Sequence, residues 1–140
     1  MKLVVVTPLE IATVVDDVVD VRAEDPSGRF EIKPRHAPLV TALSISVVTW
    51  RRASGEEVHC AVRGGVFSVE KDAVSIATRE AVIDRDLDRL EHEVLARFRR
   101  AAEDSTRARV DEERLRAVAI RNIQRLLHPT ARARSPGGGA

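Results

Sequence analysis

The sequence predicts an α+β protein. An antiparallel β-sandwich or flattened barrel is expected over residues 1–82, an antiparallel helical hairpin over 83–128 and a disordered tail over 129–140. Three observations carry this reading. Up to Arg79 the apolar residues come in short Val-, Ile- and Thr-rich runs with the period of a strand. Turn-forming residues separate the runs at regular spacing, the pattern of a sandwich rather than of alternating β and α units. From Asp84 the apolar spacing changes to threes and fours, the period of an amphipathic helix.

The strand region reads element by element. Ile45, Val47 and Thr49 alternate with Ser46, Val48 and Trp50; Val58, Cys60 and Val62 alternate with His59, Ala61 and Arg63; Val74 and Ile76 alternate with Ser75 and Ala77. Turns are expected at Asp25-Pro26-Ser27-Gly28, Ser54-Gly55, Gly64-Gly65 and Lys71-Asp72. In the helical region Leu87, Leu90, Val94, Leu95 and Phe98 form one stripe, preceded by Asp84, Asp86 and Asp88, whose carboxylates suit the positive end of a helix dipole. Asp104-Ser105-Thr106 then interrupts the pattern and offers N-cap side chains for a second helix. Leu115, Val118, Ala119, Ile123, Leu126 and Leu127 continue as a second stripe up to His128-Pro129. Two amphipathic helices joined by a short connection pack as antiparallel neighbours. Their narrow, Ala-rich stripes need the sandwich or a partner to cover them.

Composition narrows the function. The chain has 140 residues, 44% hydrophobic and 32% charged, with 23 basic and 22 acidic side chains giving a formal charge of +1. Near-neutrality argues against a protein that coats nucleic acid. Only Phe30, Trp50, Phe67 and Phe98 are aromatic, so stacking platforms for bases are scarce. One cysteine, Cys60, cannot close an internal disulfide. The apolar run after Met1 is too short for a signal peptide, and no stretch reaches the ~20 apolar residues of a spanning helix.

Small patterns that imitate chemical sites dissolve on inspection. Asp84-x-Asp86-x-Asp88 opens like a calcium loop, but Arg89 and Leu95 stand where such a loop needs Gly and Glu. Gly64-Gly65 lacks the Lys, the hydroxyl and the following helix of a phosphate loop, and is expected as a hairpin turn. His59 and Cys60 point to opposite strand faces, so they do not share a metal. No catalytic constellation, metal site or cofactor site is expected.

One segment is more specific. Residues Gly28 to Leu43 read GRFEIKPRHAPLVTAL, in which Pro34, His36, Ala37, Pro38, Leu39, Thr41, Ala42 and Leu43 resemble the signature of the epsilon subunit of rotary ATP synthases, GxFGILPGHAPLLTAL. Val6-Thr7-Pro8, the Arg63-Gly64-Gly65-Val66-Phe67-Ser68-Val69 segment and the terminal helical region agree, so the resemblance spans about residues 2–128. Glu31 and Arg35 replace two family glycines and Lys33 a usual Leu. With Ser44 to Arg51 and Ile76 to Ala81, these departures resemble the alternate, commonly sodium-linked ATPase operons of some bacteria.

The resemblance implies a sandwich of about ten strands and a helical pair. It also implies a non-catalytic central-stalk subunit that links the gamma subunit to the c ring, peripheral to the cytoplasmic face of the bacterial inner membrane. The segment carrying Arg29, Pro34, Arg35 and His36 matches the family loop that meets the c ring. Arg114, Arg121 and Arg125, spaced at sevens and fours, share a flank of the second helix and match the residues that meet the beta subunit and obstruct ATP hydrolysis. Some family members bind ATP through Ile/Leu-Asp-x-x-Arg-Ala. Here Ile83-Asp84-Arg85-Asp86 is followed by Leu87-Asp88, so nucleotide is not expected as a ligand. The rival reading is a stand-alone sandwich adaptor whose Arg-rich hairpin grips an anionic partner.

Overall fold

The computed structural model describes residues 1–127; the tail expected over 129–140 lies outside the described residues. Eight strands come first: β1 (Lys2–Val6), β2 (Ile11–Val15), β3 (Val18–Asp25), β4 (Gly28–Ile32), β5 (Leu39–Arg52), β6 (Glu57–Glu70), β7 (Ala73–Ala77) and β8 (Ala81–Asp84). A helical run follows, with α1 (Leu87–Arg89), a π-helical turn (Leu90–Val94) and α2 (Leu95–Leu127).

The strands hydrogen-bond in the order β2-β1-β7-β6-β5-β3-β4, with β8 also on β6. All pairs are antiparallel except β1 with β7. The two long strands fold this sheet over itself. The first part of β6 pairs with β8 and with the far end of β5, whereas its last part pairs with β7 and the start of β5. One layer is therefore β2-β1-β7 with one end of β5 and β6. The other is β8, the opposite end of the same two strands, β3 and β4.

Alternation places the core between the layers. Leu3, Val5, Val21, Ile32, Val48, Trp50, Cys60, Val62, Phe67, Val69, Val74 and Ile76 are all buried. Burial pushes the Cys60 thiol up to about 12, so it remains protonated and inert. The expected turns at Asp25–Gly28, Ser54-Gly55 and Lys71-Asp72 lie between successive strands. Gly64-Gly65 does not make a hairpin turn. Both glycines lie inside β6 at positive φ, +70° and +118°, at the bend where the strand changes layers. A Cβ on Gly65 would sit 2.0 Å from the carbonyl oxygen of Ala77 on β7, so this position excludes any side chain. Because β5 and β6 run through the bend unbroken, eight strands form among the described residues where about ten were expected.

The outer face of β5, β6 and β8 carries a second, smaller core. Ala61, Ile45, Val47 and Val82 pack there against Leu90, Val94, Leu95 and Phe98 from the helical run. The alternating carboxylates act as caps. Asp86 accepts from the Arg89 amide at 3.2 Å, and Asp84 accepts from the Asp86 amide at 2.9 Å and from Arg89 Nη1 at 2.6 Å. Those bonds hold the Asp84 carboxyl below its usual range, the Asp86 amide contributing most.

The helical hairpin is not formed: α2 is one 33-residue helix. Asp104-Ser105-Thr106 does not break it because its side chains find partners within the helix. Thr106 Oγ1 donates to the Ala102 carbonyl at 3.0 Å, and Asp104 lies 3.9 Å from Arg107 one turn on. No Gly or Pro occurs in the segment, and Ala, Leu, Arg and Glu dominate it, all good helix formers. Contacts divide the chain into two compact units, Met1–Arg100 and the residues from Ala101 onward. No described helix is long and apolar enough to cross a membrane.

Candidate functional site

Three surfaces carry the residues of interest. The first is the segment between β3 and β5. The Asp25 carboxylate accepts from the Ser27 hydroxyl and amide and from Thr41 Oγ1 at 2.7 Å, tying the β3–β4 turn to the start of β5. These donors, Ser27 first, hold the Asp25 carboxyl below its usual range. β4 then alternates: Phe30 and Ile32 turn inward and Arg29 and Glu31 outward. The Arg29 side chain is 88% exposed, 3.5 Å from Glu24 across the strand pair. After β4 the chain turns through Lys33 to Pro38, with the His36 amide donating to the Lys33 carbonyl at 3.2 Å. Pro34, Arg35 and His36 are all exposed. Pro34 fixes φ and needs no partner for an amide proton it lacks. Arg35 takes a left-handed φ of 67°, and its amide donates to Asp72 Oδ1 at 2.9 Å. The structure thus places Arg29, Pro34, Arg35 and His36 on one exposed segment braced by two aspartates.

The second surface went unread in the sequence. On the outer face of the β2-β1-β7-β6-β5 layer the strand registers align Val14, Val4, Ser75, Ser68 and Val40 in one row. Ile11, Val6, Ala77, Val66 and Ala42 form the next. Neither row contains a charged residue. Ile11, Val14, Val40 and Val66 are 49–73% exposed, and Leu9, on the turn between β1 and β2, is 95% exposed. A contiguous apolar patch of this kind marks an interaction site. The legible signal was the unbroken run Leu3-Val4-Val5-Val6, apolar on both strand faces where a solvated strand would alternate.

The third surface lies on α2, within the unit that begins at Ala101. Arg114, Arg121 and Arg125 are exposed and form no ion pair among the described residues; Arg116 lies 3.7 Å from Glu112. Val110, Leu115, Val118, Ile120, Ile123 and Leu127 are 40–70% exposed, and Leu115, Val118 and Ile123 among them share one side of the helix. Among the described residues no cluster of three or more His, Cys, Asp or Glu side chains could hold a metal ion. A groove of about 760 Å³ runs between the helical run and β3–β4, and Arg22–Glu57 and Arg29–Glu24 pairs neutralise its rim.

Comparison with known proteins places this architecture. Residues 1–84 match the family model for the ATP synthase, Delta/Epsilon chain, beta-sandwich domain. The chain is 38% identical over 138 residues to ATP synthase epsilon chain 2 of Cereibacter sphaeroides, covering 98% of this chain and 91% of that protein. It is 35% identical over 131 residues to ATP synthase epsilon chain 2 of Paraburkholderia xenovorans, covering 93% and 94%. The designation "chain 2" fits the resemblance to an alternate operon. A chain in the cryo-EM structure of the Euglena gracilis mitochondrial ATP synthase (OSCP/F1/c-ring) superposes with a TM-score of 0.58 at 23% identity, over 76% of this chain and 62% of that one. That likeness concerns the fold. With a sandwich matched from residue 1 to 84 and relatives aligned over nearly its full length, the chain belongs to the ATP synthase delta/epsilon chain family.

Proposed function

We propose that the chain is a non-catalytic subunit of the rotor of a bacterial F-type ATP synthase or ATPase. In this reading it joins the gamma subunit to the c ring and so couples ATP synthesis or hydrolysis to proton or sodium transport. The observation that carries the proposal is the uncharged outer face of the β2-β1-β7-β6-β5 layer, whose two register-aligned rows suit a permanent protein partner. That partner is gamma. The exposed segment bearing Arg29, Pro34, Arg35 and His36 meets the polar loops of the c ring, where electrostatic fit sets register more than affinity. The subunit sits at the periphery of the cytoplasmic face of the inner membrane. Arg114, Arg121 and Arg125 on α2 supply a contact to an acidic segment of the beta subunit that obstructs ATP hydrolysis, and the apolar stripe beside them is covered in the assembly.

Co-purification tests the assignment. Full-length protein should assemble with its cognate gamma subunit and c ring. Val66→Glu, which puts a charge in the middle of the uncharged face, should abolish capture by gamma while leaving the isolated protein folded. Arg29→Glu with Arg35→Glu should weaken capture by the ring. Unchanged assembly in both variants would refute the proposal.

A further inference from the structure

We propose that Asp72 is a positioning residue for the loop that meets the c ring, its carboxylate holding Arg35 in a left-handed conformation and thereby fixing where the Arg35 and His36 side chains are presented. The inference rests on the reading of that loop given above.

Arg35 is a non-glycine residue at φ 67°, a region that crowds Cβ against the backbone in any L-residue with a side chain. The signature that this chain resembles has glycine at the same place, for which the conformation costs nothing. Arginine there gives the loop a cation but also gives the backbone a reason to flip. Something must oppose that preference. A side chain far along the chain does so: the Arg35 amide donates to Asp72 Oδ1 at 2.9 Å, 37 residues away.

Asp72 is itself well fixed. With Lys71 it forms the two-residue turn between β6 and β7, both at positive φ, 49° and 61°. Aspartate tolerates this conformation better than most side chains. Its carbonyl accepts from the Lys2 amide at 3.2 Å, which ties the turn to β1. The carboxylate therefore projects from a braced turn. On the loop side, the Lys33 carbonyl receives the His36 amide, and His36 Nδ1 lies 2.7 Å from the Ala37 carbonyl oxygen. Release of Arg35 would disturb both contacts that orient His36.

The geometry asks only for an acceptor at residue 72. Asparagine supplies one without a charge and alanine supplies none, so the two substitutions separate hydrogen bonding from electrostatics. Glycine at residue 35 removes the need for the clamp.

The experiment measures affinity of the full-length protein for an assembled gamma–c-ring complex, thermal midpoint, and hydrogen exchange at the Arg35 amide. Asp72→Ala should speed exchange at that amide and weaken ring binding roughly three- to tenfold, the range of an ordinary net hydrogen bond, because solvent screens the charge of this exposed pair. Asp72→Asn should restore most of the affinity and the protection. In an Arg35→Gly background, Asp72→Ala should have no further effect on binding. Unchanged affinity and exchange in Asp72→Ala, while Arg29→Glu with Arg35→Glu still weakens binding, would overturn this inference alone. If the arginine reversals also leave binding unchanged, the reading of the loop falls and this inference with it.

Discussion

The rings of Phe30 and Phe67 meet edge to face, with centroids 5.1 Å apart and planes at 86°. Phe30 lies on β4, at one end of the strand order, and Phe67 near the middle on β6, so the contact spans the core from layer to layer. Phe67→Ala should therefore destabilise the protein by about 3–5 kcal/mol, measured as a fall in the urea midpoint, because it removes a fully buried ring and leaves a cavity. Phe67→Leu should cost less than half of that. A loss under about 1 kcal/mol for the alanine variant would contradict the inter-layer role of the pair.

The bend in β6 gives a sharper contrast. Gly64→Ala meets only the Leu43 carbonyl oxygen, at 3.5 Å, and should cost about 1–2 kcal/mol through its positive φ. Gly65→Ala collides with the Ala77 carbonyl and should fail to give folded protein at 37 °C. Equal stability of the two variants would mean that β7 does not lie where the structure places it.

Cutting the chain separates the contributions of its parts. We propose that residues 1–82 fold without the helical region, so protein ending at Ile83 should still unfold cooperatively with a β-type spectrum. Protein ending at Arg100 should be more stable by about 3 kcal/mol or more, since Leu90, Val94, Leu95 and Phe98 return to Ala61, Ile45, Val47 and Val82. Matching urea midpoints for the two lengths would show that this second core contributes nothing.

Acid should loosen the same framework. Hydrogen bonds from Ser27 and Thr41 depress the Asp25 carboxyl, and the Asp86 amide and Arg89 depress Asp84, each from an ordinary 3.8. A carboxyl depressed in the folded state favours folding above its unfolded value, and that contribution disappears as pH falls through the folded value. Stability should therefore decline as pH falls below about 4. Asp25→Asn should flatten the drop and lower stability at neutral pH. An unaltered pH profile in that variant would remove Asp25 from the account.

Regulation is tested in the assembled enzyme. If Arg114, Arg121 and Arg125 brake hydrolysis, replacing all three by Ala should raise ATP hydrolysis at least roughly threefold and at most roughly 150-fold, since three exposed ion pairs contribute about 0.2–1 kcal/mol each. Added salt should mimic the change, as such pairs are screened over ~8 Å near physiological ionic strength. Equal rates from the variant and the parent complex would exclude a brake of this kind.

Much of the fold could be read from local periodicity, because strand alternation is a property of neighbouring residues. Cys60 and Val62 turn inward and His59 outward as the spacing required. What escaped the reading depended on distant partners. Gly64-Gly65 has the local chemistry of a turn, and only Leu43 and Ala77 from other strands reveal it as a bend. Asp104-Ser105-Thr106 has the local chemistry of a cap, yet each turn of helix around it supplies an alternative partner. The exposed loop was legible through its Pro-x-His-Ala-Pro pattern. The uncharged face left only the Leu3-Val4-Val5-Val6 run as a local sign, because its rows draw residues from Val4 to Ala77 through four strand registers.

The passage of β5 and β6 from one layer to the other has a mechanical consequence. Two layers that touch only through side chains can slide over one another under shear, because packing contacts are short-ranged and individually weak. Here two adjacent strands, hydrogen-bonded along almost their whole length, belong to both layers. A sideways load on one outer face reaches the other through covalent backbone and a paired ladder, and yielding would require breaking many of those bonds together. The sandwich therefore resists shear between its two outer faces, a property that suits the rotor role proposed above.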